Sequence, residues 1–309
     1  MSRVAIAIPT FRRPDGLEAL LNSLAALKTA HEVYIYVGDN DALSMEGKLR
    51  AEAMLVRGYR WPIKTFVINA RGISQVRNAL IDACTSNPAV EFICMLDDDE
   101  AADSNWLEEM LRVQTATGAD VVGGHLNRFL GHAPPKWASN VPYLSSKSQG
   151  PSGAVDLVDS SGNILFTRSC IEGAPRPLFD PTFGMTGGED KEALTRLKLA
   201  GAQFAWAEEA VVTETIPASR VTEAWVMQRS FRIGNSDMRV LLRHANSVPD
   251  ILNEVAKAVV VLACVPWILF LSFRNTDRRI KAKMKLWRAA GKIASLAGFA
   301  YREYAVTHS

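Results

Sequence analysis

From Val4 to Val122, short runs rich in Val, Ile and Phe alternate with segments whose apolar residues recur at helical spacing, and this alternation leaves few folds open. Strands are expected at Val4–Ile8, Val33–Val37, Thr65–Ile68, Phe92–Leu96 and Asp120–Val122, each followed by a polar or glycine cluster. Leu17, Leu20, Leu21, Leu24 and Leu27 form one helical face, and Ile73, Val76, Leu80, Ala83 and Cys84 form another. Asn105 is placed to cap a helix carrying Leu107, Met110 and Leu111, and Gly118 to stop it. Strand and helix in strict alternation predict an α/β fold, with a mostly parallel sheet and helices on both faces.

Composition then shifts. Between Gly131 and Gly162 the chain turns to Pro, Ser, Gly and Lys, which predicts a long loop over the sheet. Strands are expected at Val155–Val158 and Ile164–Thr167, a helix at Asp190–Leu199 closed by Gly201, and a strand pair at Phe204–Trp206 and Ala210–Thr213. From about Arg220 the pattern is helical throughout. The expected division is a catalytic domain over 1–219 and a helical region over 220–309, with an apolar segment at 258–273 and a basic one at 274–292.

With 48% hydrophobic and 22% charged residues in 309, disorder, a collagen-like chain and a disulfide mini-protein are excluded. Cys84, Cys94, Cys170 and Cys264 are widely spaced and read as thiols of a reducing compartment. The start, MSRVAIAIPTF, carries no signal-peptide pattern, so the amino-terminal part is expected in the cytoplasm. The net charge of +2 conceals a local concentration. Eight basic residues against Asp277 give 274–292 a charge of +7 and leave −5 elsewhere, so a nucleic-acid partner is not expected.

The acidic run Asp97-Asp98-Asp99-Glu100 directly follows an apolar strand. Adjacent carboxylates repel, and at the carboxyl end of a strand in an open α/β sheet a Mg²⁺ or Mn²⁺ ion shared with a substrate phosphate relieves that repulsion. A solvated acidic turn is the plainer alternative. Gly38-Asp39-Asn40-Asp41 and Pro9-Thr10-Phe11-Arg12-Arg13 end two further strands. Asp39 can accept a base N–H, and Thr10 and Arg12 can donate to phosphate or ribose oxygens. With Arg71-Gly72 and Arg77-Asn78 these residues outline a pocket for a nucleoside diphosphate. Gly187-Gly188-Glu189-Asp190 opens a helix, where a carboxylate can serve as a base or simply favour the helix end. Trp137 in the long loop could stack on a sugar or anchor the loop.

The motifs Ile-Pro-Thr-Phe-x-Arg, an Asp after the second strand, Arg-Gly-x-x-x-x-Arg-Asn, Leu-Asp-x-Asp-Glu and Gly-Gly-Glu-Asp occur in that order. The order resembles the inverting family 2 glycosyltransferases of the GT-A nucleotide-sugar-binding fold, and among them bacterial exopolysaccharide enzymes of the succinoglycan glucosyltransferase kind. The resemblance covers roughly residues 1–240. It implies that Asp39 meets the uracil, that Pro9, Thr10, Arg12, Arg71, Asp97 and Asp98 line the donor, and that Asp97 and Asp99 hold the metal. It further implies Asp190 as catalytic base, Glu189 beside it for the acceptor, and transfer of one sugar, glucose, from a UDP-sugar to a lipid-linked oligosaccharide. Trp137 is the candidate acceptor platform. The Gln-x-x-Arg-Trp of processive relatives is absent, since Gln228 is followed by Arg229-Ser-Phe-Arg232, and Glu214 stands where some relatives have a histidine. A sugar-phosphate nucleotidyltransferase would need a glycine-rich loop after the first strand, and Pro9 to Pro14 contains no glycine. A non-catalytic nucleotide-sugar-binding scaffold at the membrane is the remaining alternative.

The uncharged stretch Ala258–Phe273 is shorter than the ~20 residues a crossing helix needs and holds Pro266 at its middle. A core helix is one reading. The basic flank, Trp267 and Trp287 favour the cytoplasmic face of the inner membrane, reached by a helix that breaks at Pro266 and re-enters the leaflet or lies in the interface.

Overall fold

The computed structural model describes residues 1–131, 134–158, 162–245, 247–271 and 275–303. It divides into two compact units. The first holds Met1–Asn127, Ser146–Gly184 and Glu189–Thr215, and the second Arg128–Ser145, Met185–Gly188 and Ile216–Ser309.

The elements run β1 (Arg3–Thr10), α1 (Pro14–Ala25), β2 (Glu32–Asp39), α2 (Glu46–Val56), β3 (Ile63–Val67), α3 (Ile73–Thr85), β4 (Phe92–Met95), β5 (Glu100–Ala102), α4 (Trp106–Thr117) and β6 (Val121–Leu130). After β7 (Gly153–Val155) come β8 (Ile164–Thr167), α5 (Arg168–Gly173), α6 (Glu189–Leu199), β9 (Phe204–Ile216), α7 (Glu223–His244), α8 (Val248–Leu271) and α9 (Thr276–Leu296). The strands form one sheet in the order β3-β2-β1-β4-β8-β6-β9-β5, with β7 pairing to β9.

Alternation along β1 shows how the core is made. Val4, Ile6 and Ile8 face one cluster with Leu17, Leu20, Leu21 and Leu24 of α1 and with Trp106 and Met110 of α4. Ala5 and Ala7 face the opposite cluster with Val76 and Leu80 of α3 and Leu194 and Leu197 of α6. Each fully buried leucine contributes about 1.5–3 kcal/mol, so both faces must be covered, and helices cover both.

The sheet is mixed rather than mostly parallel. β3, β2, β1 and β4 are parallel, whereas β8 runs antiparallel to β4 and to β6, and β5 and β7 run antiparallel to β9. The change falls where the β-α-β spacing ends, after α4. The expected strand pair at 204–213 is one strand, Phe204–Ile216. Glu208 and Glu209 interrupt its apolar pattern, but they are held by His125, Trp206, Ser148, Ser152 and Arg112. The strand expected at Val155–Val158 lies earlier, at Gly153–Val155, and α2 was not evident in the sequence pattern.

In the second unit, Ala138, Val141, Leu144, Ile216, Val226, Met227, Ile280 and Met284 form a separate cluster. α8 continues unbroken through Pro266, so the helix expected to break there does not. It begins at Val248, ten residues before the uncharged stretch, and its 24 residues span ~36 Å. α9 packs along both α7 and α8. Of the expected segments, Ser272, Phe273 and Arg274 lie outside the described residues, as do 132–133 and 159–161 of the long loop.

Candidate active site

The carboxyl ends of β1, β2 and β4 lie side by side: Thr10 pairs in register with Asp39, and β4 lies on the other side of β1. The loops leaving these strands carry the donor candidates, and hydrogen bonds between them fix their shape.

Asp98, expected among the donor contacts, turns inward instead. It is 6% exposed, accepts from Thr10 Oγ1 at 2.8 Å and from the Phe11 N–H at 3.4 Å, and pairs with Arg13 at 3.1 Å. Burial pushes its carboxyl up to about 7 against the pull of Arg13, with Asp99 adding repulsion. These bonds tie β1 to the acidic run, and Thr10, itself buried, takes part in the same tie. Arg13 also reaches Asp99 at 2.7 Å. It is the arginine of the Phe-x-Arg motif, and its neighbour Arg12 was the one expected to matter. Arg12, at φ 56°, donates to Asp41 at 2.6 Å, and this contact with Ser44 brings the Asp41 carboxyl down to about 2.

Asp39 is also covered. It is 1% exposed, and its two oxygens accept from the N–H groups of Asp41 at 2.9 Å and Lys48 at 3.0 Å, so it caps α2 from the neighbouring strand. A base can reach it only through its remaining lone pairs. Asn40 completes this floor by donating to the carbonyls of Ile68 and Ala70 and accepting from Gly72 N–H, which fixes the loop that carries Arg71. Arg71 is exposed and lies over the Phe11 ring at 4.4 Å, with Arg12 at 5.1 Å from the same ring. Phe11 and the two guanidinium groups make a cationic, partly aromatic surface suited to a base and a diphosphate.

Gly47 shows how closely α2 approaches. A Cβ there would lie 2.5 Å from Thr10 Cγ2 and 3.1 Å from Asp39 Oδ2. Alanine favours a helix over glycine by about 1 kcal/mol, but Thr10 is pinned to Asp98 and cannot yield. Gly47→Ala is therefore expected to lower stability by about 1–2 kcal/mol in urea unfolding and to weaken nucleotide binding. An unchanged or higher midpoint would show that the strand ends can move.

The acidic run meets the start of α6 through Arg77. This arginine, 4% exposed, donates to Asp97 Oδ1 at 2.8 Å and to Glu189 Oε1 at 2.7 Å. Residues 112 apart in sequence are thereby joined. Glu189, expected to recognise an acceptor, is 3% exposed and pairs with Arg77. Asp190 is only partly buried. Its Oδ1 accepts from the Lys191 N–H at 2.7 Å, and among the described residues no donor reaches Oδ2. Gly187 and Gly188, at φ 72° and 92°, make the left-handed turn into this helix. Within the second unit, Ser236 and Arg239 of α7 hold that turn by bonds to the Gly187 carbonyl and to Thr186.

Glu100 is buried opposite Glu214, its cross-strand partner between β5 and β9. Burial, then Asp97 and Asp99, then Glu214 raise the Glu100 carboxyl well above its ordinary range. This crowd of hard oxygen donors suits Mg²⁺ or Mn²⁺. Among the described residues no three His, Cys, Asp or Glu side chains converge on one point. The fit is therefore that of an ion held by one or two carboxylates, Asp97 and Asp99, with its other ligands from a nucleotide's phosphates. Gly162 lies against the same group, since a Cβ there would be 2.9 Å from both Asp97 Oδ2 and Glu100 Oε1.

Trp137 is partly buried against the apolar cluster of the second unit, one residue before the 3₁₀ turn Ala138–Asn140. Arg229 and Arg232, near Gln228 on α7, both pair with Glu303 at 2.8 Å.

A mixed sheet with nucleotide-ready loops at the ends of its parallel strands, an acidic run after β4 and a carboxylate at a helix start define a nucleotide-sugar transferase of the GT-A fold. Residues 5–172 match Glycosyl transferase family 2, and the chain belongs to that family. It is 30% identical over 301 residues to the succinoglycan biosynthesis protein ExoM of Rhizobium meliloti (strain 1021), covering 96% of this chain and 93% of that protein. The same fold occurs in the mannosyltransferase PcManGT from Pyrobaculum calidifontis in complex with GDP-Man and Mn²⁺, with a TM-score of 0.62, 14% identity and coverage of 95% and 86% of the two chains. It occurs again in S. aureus TarS 1-349 in complex with UDP-GlcNAc, with a TM-score of 0.55, 14% identity and coverage of 98% and 93%.

Proposed function

We propose that this glycosyltransferase moves one glucose from UDP-glucose to a hydroxyl of a lipid-linked oligosaccharide, with inversion, during assembly of an exopolysaccharide at the cytoplasmic face of the inner membrane. The observation that carries the reading is the Arg77 bridge, which sets the start of α6 beside the acidic run. The ExoM likeness supports the pathway class.

Asp190 takes the proton of the acceptor hydroxyl on its open Oδ2 as the hydroxyl oxygen attacks the anomeric carbon and the bond to the diphosphate breaks. Asp97 and Asp99 would hold Mg²⁺ or Mn²⁺, which when bound neutralises charge on the leaving diphosphate. Arg71 and Arg12 hold the nucleotide over Phe11, above the floor made by Pro9, Thr10 and Asp39. Arg77 keeps Asp97 and the helix start in register and does not touch substrate.

UDP release on mixing the protein with single nucleotide sugars and Mn²⁺ tests the donor. Release from UDP-glucose above that from UDP-galactose or GDP-mannose is expected, and release from GDP-mannose alone would overturn the uridine assignment. In calorimetry, Asp99→Ala is expected to remove the Mn²⁺-dependent part of UDP affinity. An unchanged Mn²⁺ dependence would exclude Asp99 as a ligand.

A further inference from the structure

We infer that the α8–α9 hairpin lies flat in the interface of an anionic lipid leaflet, with the apolar face of α8 toward the acyl chains and one stripe of α9 at the phosphates. This deepens the reading of a lipid-linked acceptor and rests on it.

The first observation is the unpartnered face of α8. Val259 and Val260 are 52% and 58% exposed, and Trp267, Ile268 and Phe270 are 72%, 47% and 75% exposed, while Ala258 and Val265 face inward. By length and composition Val248–Phe270 could cross a bilayer. The hairpin argues against that, because α9 returns along α8 and packs on α7. A crossing would strip α9 from both neighbours or carry it into hydrocarbon.

The second observation concerns the basic residues of α9, whose sequence suggested a uniform cationic flank. Four of them are engaged internally: Arg279 and Lys283 with Glu223, Arg288 with Asp237, and Lys292 with Glu254. Arg278, Lys281 and Lys285 are exposed and pair with no carboxylate among the described residues. Their spacing of three and four places them on one helical face.

These two facts decide the orientation. Arg278 and Lys281 sit in the first turns of α9, which begins five residues after α8 ends. Tip-first insertion would carry those cations and Asp277 into hydrocarbon, where charges are costly. Lying flat leaves the cations at the phosphates and still lets α8 bury its apolar face, with Trp267 at headgroup level. Anionic lipid is the occupant that satisfies both the apolar and the cationic surface; a second copy of the chain would bring the same cations together.

The test uses the full chain and sedimentation with phosphatidylcholine vesicles, with or without phosphatidylglycerol, in the absence of donor and acceptor. Its failure is thus separate from failure of the transferase reading, which UDP release reports. Binding is expected with phosphatidylglycerol and to fall as salt rises. Exchanging Arg278, Lys281 and Lys285 for Gln should reduce it roughly 100-fold, at about fivefold per cation, with UDP release retained. Equal binding to both vesicle types, or no loss in the triple variant, would overturn the proposal. Depth is read from a fluorophore on Ala256→Cys or Phe270→Cys, each in a Cys264→Ser background, with quenchers at known acyl positions. Equal, shallow depths are expected. A depth difference approaching ~20 Å between these positions would mean tip-first insertion. A dimer in solution that shields both positions and binds no vesicle would assign the face to a second copy.

Discussion

Replacing Asp190 by Asn should lower turnover by about 10² to 10⁴ while UDP affinity and the folded structure stay as they are. The substitution keeps the shape of the side chain and its bond from the Lys191 N–H, and removes only the ability to take a proton. Asp190 is in the first turn of α6, at the positive end of the helix dipole. Loss in kcat with little change in donor KM is the signature of a group acting in the transition state. A purified, folded Asp190→Asn protein that transfers sugar at the native rate would remove Asp190 from the mechanism.

Arg77→Met should cause the largest loss of stability. Arg77 and Glu189 are buried together at 2.7 Å, and removing Arg77 takes an opposite charge from a carboxylate in a low-dielectric interior. Such losses run to about 3–5 kcal/mol, or roughly 6–20 °C in the melting of the nucleotide-binding unit. The double variant Arg77→Met, Glu189→Gln should recover a large part, since the buried carboxylate is then replaced by a neutral amide. A single-variant loss below about 1 kcal/mol would mean the pair is better solvated than its burial indicates.

The two kinds of information in the chain differed in legibility. β1 to β4 with α1 and α3 were readable because each buries an alternating or helical apolar face against the sheet. β5 was not, because Glu100-Ala101-Ala102 has little strand propensity and is held in place by β9. α2 was hidden because it is only weakly amphipathic, with Leu49, Leu55 and Val56 facing solvent. The continuity of α8 was hidden by Pro266 and by Asp250, Glu254 and Lys257, whose charges end the uncharged stretch without ending the helix.

At the site, the acidic run, the Arg71 loop and the carboxylates before α6 were visible as motifs. What each carboxylate does was not. Asp97, Asp98 and Asp99 are consecutive, yet one faces Arg77, one is buried under Thr10 and one faces Arg13. Those partners lie between 20 and 88 residues away, beyond any local pattern. The burial of Asp39 and of Glu189 has the same origin, since packing between distant segments decides which oxygen remains open.

The central claim is a single displacement from a nucleotide sugar, and the configuration of the new linkage tests it most directly. UDP-glucose carries an α-linked sugar, so transfer to a lipid-linked acceptor should give one β-linked glucose per UDP released, read by the large anomeric proton coupling in the product. An α-linked product, formed at any rate by the native protein, would contradict the account.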